Sequence, residues 1–161
     1  MQGNQYNWVN ITADGWGVKL VNRSSTSSIT DEICATIDGK PIVSTSHMYI
    51  NSKATSIDVS SLKSSNVVNM SNMFEGTAAT TITGLDKLDT SNVTNMFSTF
   101  YATKVSILDL SSFNTSKVTN MNYIFSNTSA TIGYARNNSE VSKFNALSTS
   151  YKPSTLRFKL K

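Results

Sequence analysis

Three stretches of the chain align on one pattern: SSNVVNMSNMF (Ser64–Phe74), TSNVTNMFSTF (Thr90–Phe100) and TSKVTNMNYIF (Thr115–Phe125). The step from the first to the second is 26, and from the second to the third 25. A period between about 20 and 50 residues is the mark of a repeat architecture. A unit this short cannot bury its own apolar face, so copies must stack, and the chain is expected to be a solenoid.

Each unit has two halves. The first is a short apolar alternation, Ile57-Asp58-Val59, Thr83-Gly84-Leu85 and Leu108-Asp109-Leu110. Period-two alternation predicts a strand with its outer members facing inward. The second half supplies recurring apolar slots: Val67, Val93 and Val118; Met70, Met96 and Met121; Phe74, Phe100 and Phe125. Leu62, Leu88 and Phe113 form a fourth slot. Stacked copies turn these slots into ladders, and the segments around Met73-Phe74, Thr99-Phe100 and Ile124-Phe125 are expected to close a helical turn or a tight loop. Asn69, Asn95 and Asn120 recur between Val and Met. Their amides are expected to point inward and bond backbone in their own coil and the next.

The expected fold is therefore a β-rich (α+β) solenoid. It is a short, leucine-rich-repeat-like, right-handed stack of about three to four coils, each strand about 4.8 Å from the next. Residues 1–50 are expected to form an N-terminal cap, 51–134 the solenoid and 135–161 a C-terminal cap, all one structural domain. In the first cap, Gly17–Asn22 reads as a strand. Thr30-Asp31-Glu32 reads as a helical turn capped by Thr30 or Ser28. Asp38-Gly39 reads as a tight turn between Ile33–Ile37 and Pro41–Val43. Met48-Tyr49 lies one period before Met73-Phe74 and reads as a degenerate first coil. In the last cap, Thr131-Ile132-Gly133 continues the strand slot. Asn138 or Ser139 opens a helix over Glu140–Leu147 with Val141, Phe144 and Leu147 on one face. Lys152-Pro153 ends it, and Thr155–Leu160 alternates as a closing strand whose Arg and Lys block further strand addition.

Composition fits a polar-surfaced coil stack. Ser, Thr and Asn make up 63 of 161 residues, while charged residues are only 15%. Hydroxyl and amide side chains bond nearby backbone in tight turns. The formal charge is +4. Residues from Arg136 onward hold six basic side chains against Glu140, so the basicity belongs to the C-terminal cap. With no aromatic–basic motif, a solvated edge is a better reading than a nucleic-acid surface.

Cys34 is the lone cysteine, so no intrachain disulfide is possible. It reads as a buried small hydrophobe. His47 is the lone histidine. A metal site wants several such ligands at close spacing, so neither metal nor other cofactor is expected. Asp58 and Asp109 align across repeats but read as solvated strand-face residues rather than a glycosidase pair or calcium site. No catalytic set is expected, and the chain reads as a non-enzyme. No apolar segment reads as a signal peptide or a membrane span. That places the chain in a virion or particle or in the cytoplasm, or at a surface if it is trimmed from a longer protein.

The motif TSxVTNMxxxF preceded by LDLSSFNT (Leu108–Thr115) resembles the bacterial surface protein repeat of the BspA-like leucine-rich family, over about Met48–Tyr134. Val21–Ile42 resembles the module that precedes such repeats in phage-encoded proteins, and Gly133–Ala146 with Lys152-Pro153 resembles the segment that closes them, which would make the chain complete with both caps. The family often has Cys three residues after the Phe; here Thr77, Thr103 and Thr128 stand there, and a buried Thr needs a hydrogen bond. The resemblance implies recognition or adhesion in bacterial members, a structural or receptor-facing part in phage-encoded ones, and no enzymatic activity.

Where the repeat breaks its consensus, a binding face is expected. Ser71, Phe97 and Asn122 share one slot, Asn72, Ser98 and Tyr123 the next, and Glu75, Tyr101 and Ser126 a third. Phe97, Tyr101 and Tyr123 are thus large aromatics that the repeat does not require, of the kind enriched at interfaces and against sugar faces. Filling gaps between coils is the competing reading. Trp8 and Trp16 suit either a docking surface or burial in the N-terminal cap. The expected partner is a protein or a cell-surface glycan, with a homo-oligomer or particle assembly as a further option. The alternative is a small phage-encoded inhibitor of a host protein, whose contact would be the basic cap at Arg157, Lys159 and Lys161.

Overall fold

The structure, a computed structural model, describes residues 6–12, 15–30, 33 and 36–161. It is a β-solenoid of about six turns with one short helix. Strands β1 (Tyr6–Thr12) and β2 (Gly15–Leu20) pair antiparallel. Strand β3 (Thr36–Ile37) turns through Asp38 and Gly39 into β4 (Lys40–Ser44), which runs parallel to β2. Asp38 and Gly39 both have positive φ, 49° and 74°, as the expected hairpin turn requires. Asp31 and Glu32 of the expected helical turn, and Cys34, lie outside the described residues, as does the Trp8 side chain.

The strand face of the solenoid follows. Strands β5 (Ser56–Asp58) and β6 (Thr81–Thr83) pair parallel, and β7 (Ile107–Leu110), β8 (Ile132–Ala135) and β9 (Arg157–Leu160) form a second parallel set. Ile57 and Ile82 share one column, and Leu108, Gly133 and Phe158 share another. The Phe158 ring lies where a Cβ on Gly133 would sit, 2.3 Å from it, so glycine is required there. The alternation expected at Thr83-Gly84-Leu85 is not a strand: β6 ends at Thr83, Gly84 takes φ 80°, and Leu85–Lys87 forms a 3-10 turn. The cause is the one extra residue of the longer unit. Ile57 to Ile82 is a step of 25 and Ile82 to Leu108 a step of 26, whereas Leu62 to Leu88 is 26 and Leu88 to Phe113 is 25. The insertion therefore sits between Thr83 and Leu88, and there the strand ladder divides.

The opposite face is a ladder of turns rather than helix. Within each coil alternate amides bond three residues back: Met73 to Met70, Glu75 to Asn72, Thr77 to Phe74. The amides between them bond the next coil: Met70 to Asn95, Asn72 to Phe97, Phe74 to Thr99, Gly76 to Tyr101. The same pattern starts at Thr45 and continues from Met96. Two left-handed positions per coil make it possible. His47, Asn72, Ser98 and Tyr123 fill one, and Asn51, Gly76, Ala102 and Asn127 fill the other.

The core is the set of ladders. Tyr49, Phe74, Phe100 and Phe125 are fully buried and stack at 5.4, 5.5 and 5.9 Å between ring centroids. The placement of Met48-Tyr49 as an earlier coil is thus as the spacing predicts. Val67, Val93, Met70, Met96, Leu62, Leu88 and Phe113 are buried beside them, while Val118 and Met121 are only partly covered. The recurring Asn does not turn inward. Each is half-buried and its Oδ1 accepts from the amide two residues on: Ser71 to Asn69, Phe97 to Asn95, Asn122 to Asn120. The bend itself needs that acceptor, and the backbone of Ser44, Asn69, Asn95 and Asn120 supplies the link between coils.

The coil count exceeds the expected three to four. The Leu20 amide bonds the Met48 carbonyl and Ile29 bridges Ile57, so residues before Met48 already stack. The Phe125 amide bonds the Tyr151 carbonyl, so the chain makes another turn after the helix. Terminal coils need no consensus because each has a neighbour on one side only. The helix α1 spans Asn138–Asn145, slightly earlier than expected, with Asn137 as N-cap accepting from the Glu140 amide. Its buried side chains are Glu140 and Phe144. The Glu140 carboxylate accepts from the Thr115 amide and hydroxyl at 2.9 and 2.7 Å, continuing a buried column of Ser64, Thr90 and Thr115.

Candidate functional site

Large aromatics emerge on the turn face. Phe97, Tyr123 and Tyr151 form a continuous row along the stack: Phe97 meets Tyr123 edge-on at 5.8 Å, and Tyr123 meets Tyr151 edge-on at 5.4 Å. Tyr123 is 44% exposed, and Phe97 and Tyr151 are half-buried. Parallel stacking on the core ladder gives way here to T-shaped contacts, the favoured arrangement when ring edges carry the contact. Tyr123 sits at φ 58°, in the left-handed slot that Asn72 and Ser98 fill elsewhere. A bulky residue there costs about 1–2 kcal/mol, although the left-handed backbone itself is common to every coil.

Tyr101 lies apart from the row. Its hydroxyl accepts from Asn127 Nδ2 at 3.0 Å, which ties it to the next coil. Tyr151 is not legible from sequence as a partner of Tyr123, because α1 intervenes and shifts it off the period.

The basic candidates lie on β9 and are engaged within the chain. Lys161 Nζ donates to Asp109 at 2.6 Å and stands 3.8 Å from Asp86. Burial opposes ionisation of Asp109, but hydrogen bonds from Lys161 and Ser111 prevail and hold its carboxyl below the usual carboxylate range. The Asp109 hydrogen bond likewise raises Lys161. Lys159 Nζ lies 5.6 Å from the centroid of the Tyr134 ring. Arg157 donates to the carbonyls of Ser154 and Leu156. Asp58, which aligns with Asp109 across the repeats, pairs in register with Thr83, and the Ser60 amide lowers its pKa.

One basic residue departs from the expected solvated edge. Lys152 is 3% exposed and fills the Phe slot of the last coil. Its ammonium donates to the carbonyls of Pro153 and Leu156, and burial followed by the nearby Arg157 lowers its pKa. Thr77, Thr103 and Thr128 are buried and hydrogen-bonded, as their chemistry requires. Trp16 is half-buried and its indole N–H donates to the Ile37 carbonyl, so it serves the N-terminal sheet. Among the described residues no group of three His, Cys, Asp or Glu could hold a metal ion, and no helix is long and apolar enough to cross a membrane.

A family model described as "Mycoplasma protein of unknown function, DUF285" matches residues 19–144. That span takes in the first stacked coil, all three motif copies and most of α1. No curated protein and no solved structure matches the chain.

Proposed function

The chain belongs to the DUF285 family, and from that premise we propose that it is a non-catalytic recognition module of a bacterial or phage surface. It acts through the turn face of its solenoid on a protein or a cell-surface glycan. Kinship with BspA-like leucine-rich surface repeats is part of the same reading, carried by the TSxVTNMxxxF motif and compatible with the family match.

The observation that carries the proposal is the row Phe97–Tyr123–Tyr151. These aromatics depart from the repeat consensus or lie beyond it, and they are in mutual contact. Tyr123 is exposed while its backbone adopts a conformation unfavourable for its side chain. Aromatic side chains offer large contact area at low entropic cost and dominate binding hot spots. Support for the inhibitor alternative is weaker, because its basic contact residues Arg157, Lys159 and Lys161 already hold partners within the chain.

The test is capture from bacterial cell envelopes separated into polysaccharide and protein fractions, with wild type beside Tyr123→Asn. Asn is native to that slot at Asn72, so the variant keeps the fold. Capture by wild type that is lost in the variant is expected. Capture by both to the same extent removes the row from the contact, and capture of one soluble cytoplasmic protein instead favours the inhibitor.

A further inference from the structure

An open cleft of about 350 Å³ lies over Leu88, among the turns that follow β6, β7 and β8, lined by Lys87, Asp89, Ser91, Ser112, Asn114 and Arg136. Lys87, Asp89 and Arg136 are exposed, and none belongs to an ion pair among the described residues. The Asp89 carboxylate accepts from the Ser91 amide at 2.9 Å and is held below the usual carboxylate range by the Ser91 hydroxyl and amide. It is therefore an ionised acceptor fixed in place at neutral pH.

We propose that this cleft binds an acidic saccharide, a sugar unit bearing a carboxylate among its hydroxyls. Two cations outside any ion pair, one of them a guanidinium suited to bidentate carboxylate binding, line the same cleft as one fixed carboxylate. Lys87 and Arg136 take the ligand carboxylate, and Asp89 accepts from a pair of sugar hydroxyls. A polyphosphate would set further negative charge against Asp89, and a neutral sugar would leave both cations without a partner. The site stands independently of the aromatic row.

The experiment is an amide chemical-shift titration of the full chain with trigalacturonic acid, using its methyl ester as the neutral control. Saturable shifts at residues 87–91, 112–114 and 136 are expected, weakened by salt. Affinity should fall about tenfold or more in Arg136→Gln and in Asp89→Asn, the change typical of one charged hydrogen bond. Tyr123→Asn should bind as wild type does, which separates this site from the aromatic row. Equal binding of the ester, shifts centred elsewhere, or no saturable shift at millimolar concentration would overturn the proposal.

Discussion

Replacing Phe100 by Ala tests whether the ring ladder holds the stack together. Phe100 is fully buried, with its ring 5.5 Å from Phe74, 5.9 Å from Phe125 and 6.2 Å from Phe113. A buried Phe→Ala change costs about 3–5 kcal/mol from lost transfer energy and the cavity left behind. Loss of the ring pairs places the change towards the upper end of that range. In a solenoid the loss falls on both neighbouring interfaces, since each coil contacts only its neighbours. At about 2–4 °C per kcal/mol for a chain of this size, the midpoint should drop by roughly 6–20 °C. Urea denaturation followed by circular dichroism measures the free energy directly. Phe113→Ala provides the comparison, because among the described residues its buried ring meets only that of Phe100. If Phe100→Ala does not fold, Phe100→Leu replaces it, with a smaller loss and the same ranking against Phe113→Leu. A loss at Phe100 well below the range for a buried ring, or a larger loss at Phe113, would refute the ladder argument.

Three further outcomes follow from the same geometry. Thr103→Val should cost about 1 kcal/mol, since it removes the bonds to the Phe100 carbonyl and the Thr128 hydroxyl; an unchanged denaturation midpoint would deny those bonds any net value. Lys161→Met should leave the denaturation midpoint almost unchanged, as expected of an exposed ion pair, and a clear drop that persists in high salt would contradict that. Burial and then the nearby Lys19 charge lower the His47 pKa, so the fold prefers the neutral imidazole. Its stabilising share is full above the unfolded value of about 6.5 and is lost as pH falls through the folded value. His47→Asn, with a side chain that suits the left-handed slot, should flatten the stability profile below the unfolded imidazole value of about 6.5; an unaltered slope would sink the assignment.

The parts of the fold that repeat are legible in the sequence, because burial recurs at fixed spacing. Phe74, Phe100 and Phe125, with the Val, Met and Leu slots, read directly as ladders. The turn ladder does not, because its left-handed positions are filled by His47, Asn72, Ser98 and Tyr123 rather than by a recurring glycine. Asn69, Asn95 and Asn120 read as structural but in the wrong direction, since an Asn serving its own bend and one reaching inward leave the same sequence trace. The outer coils are hidden because end coils have one neighbour and no consensus to keep. Of the aromatic row, Phe97 and Tyr123 stand out against their aligned positions. Tyr151 does not, having no aligned position, and Lys152 in a Phe slot is invisible until the last coil is seen to stack.

The most direct test of the recognition reading is equilibrium binding of purified bacterial envelope polysaccharide and envelope protein to four chains: wild type, Phe97→Ser with Tyr123→Asn, Tyr151→Ser, and Lys159→Gln with Lys161→Gln. Binding that is lost in the two row variants and kept in the lysine variant is the predicted result. Binding that survives in the row variants and falls with the lysines would contradict it.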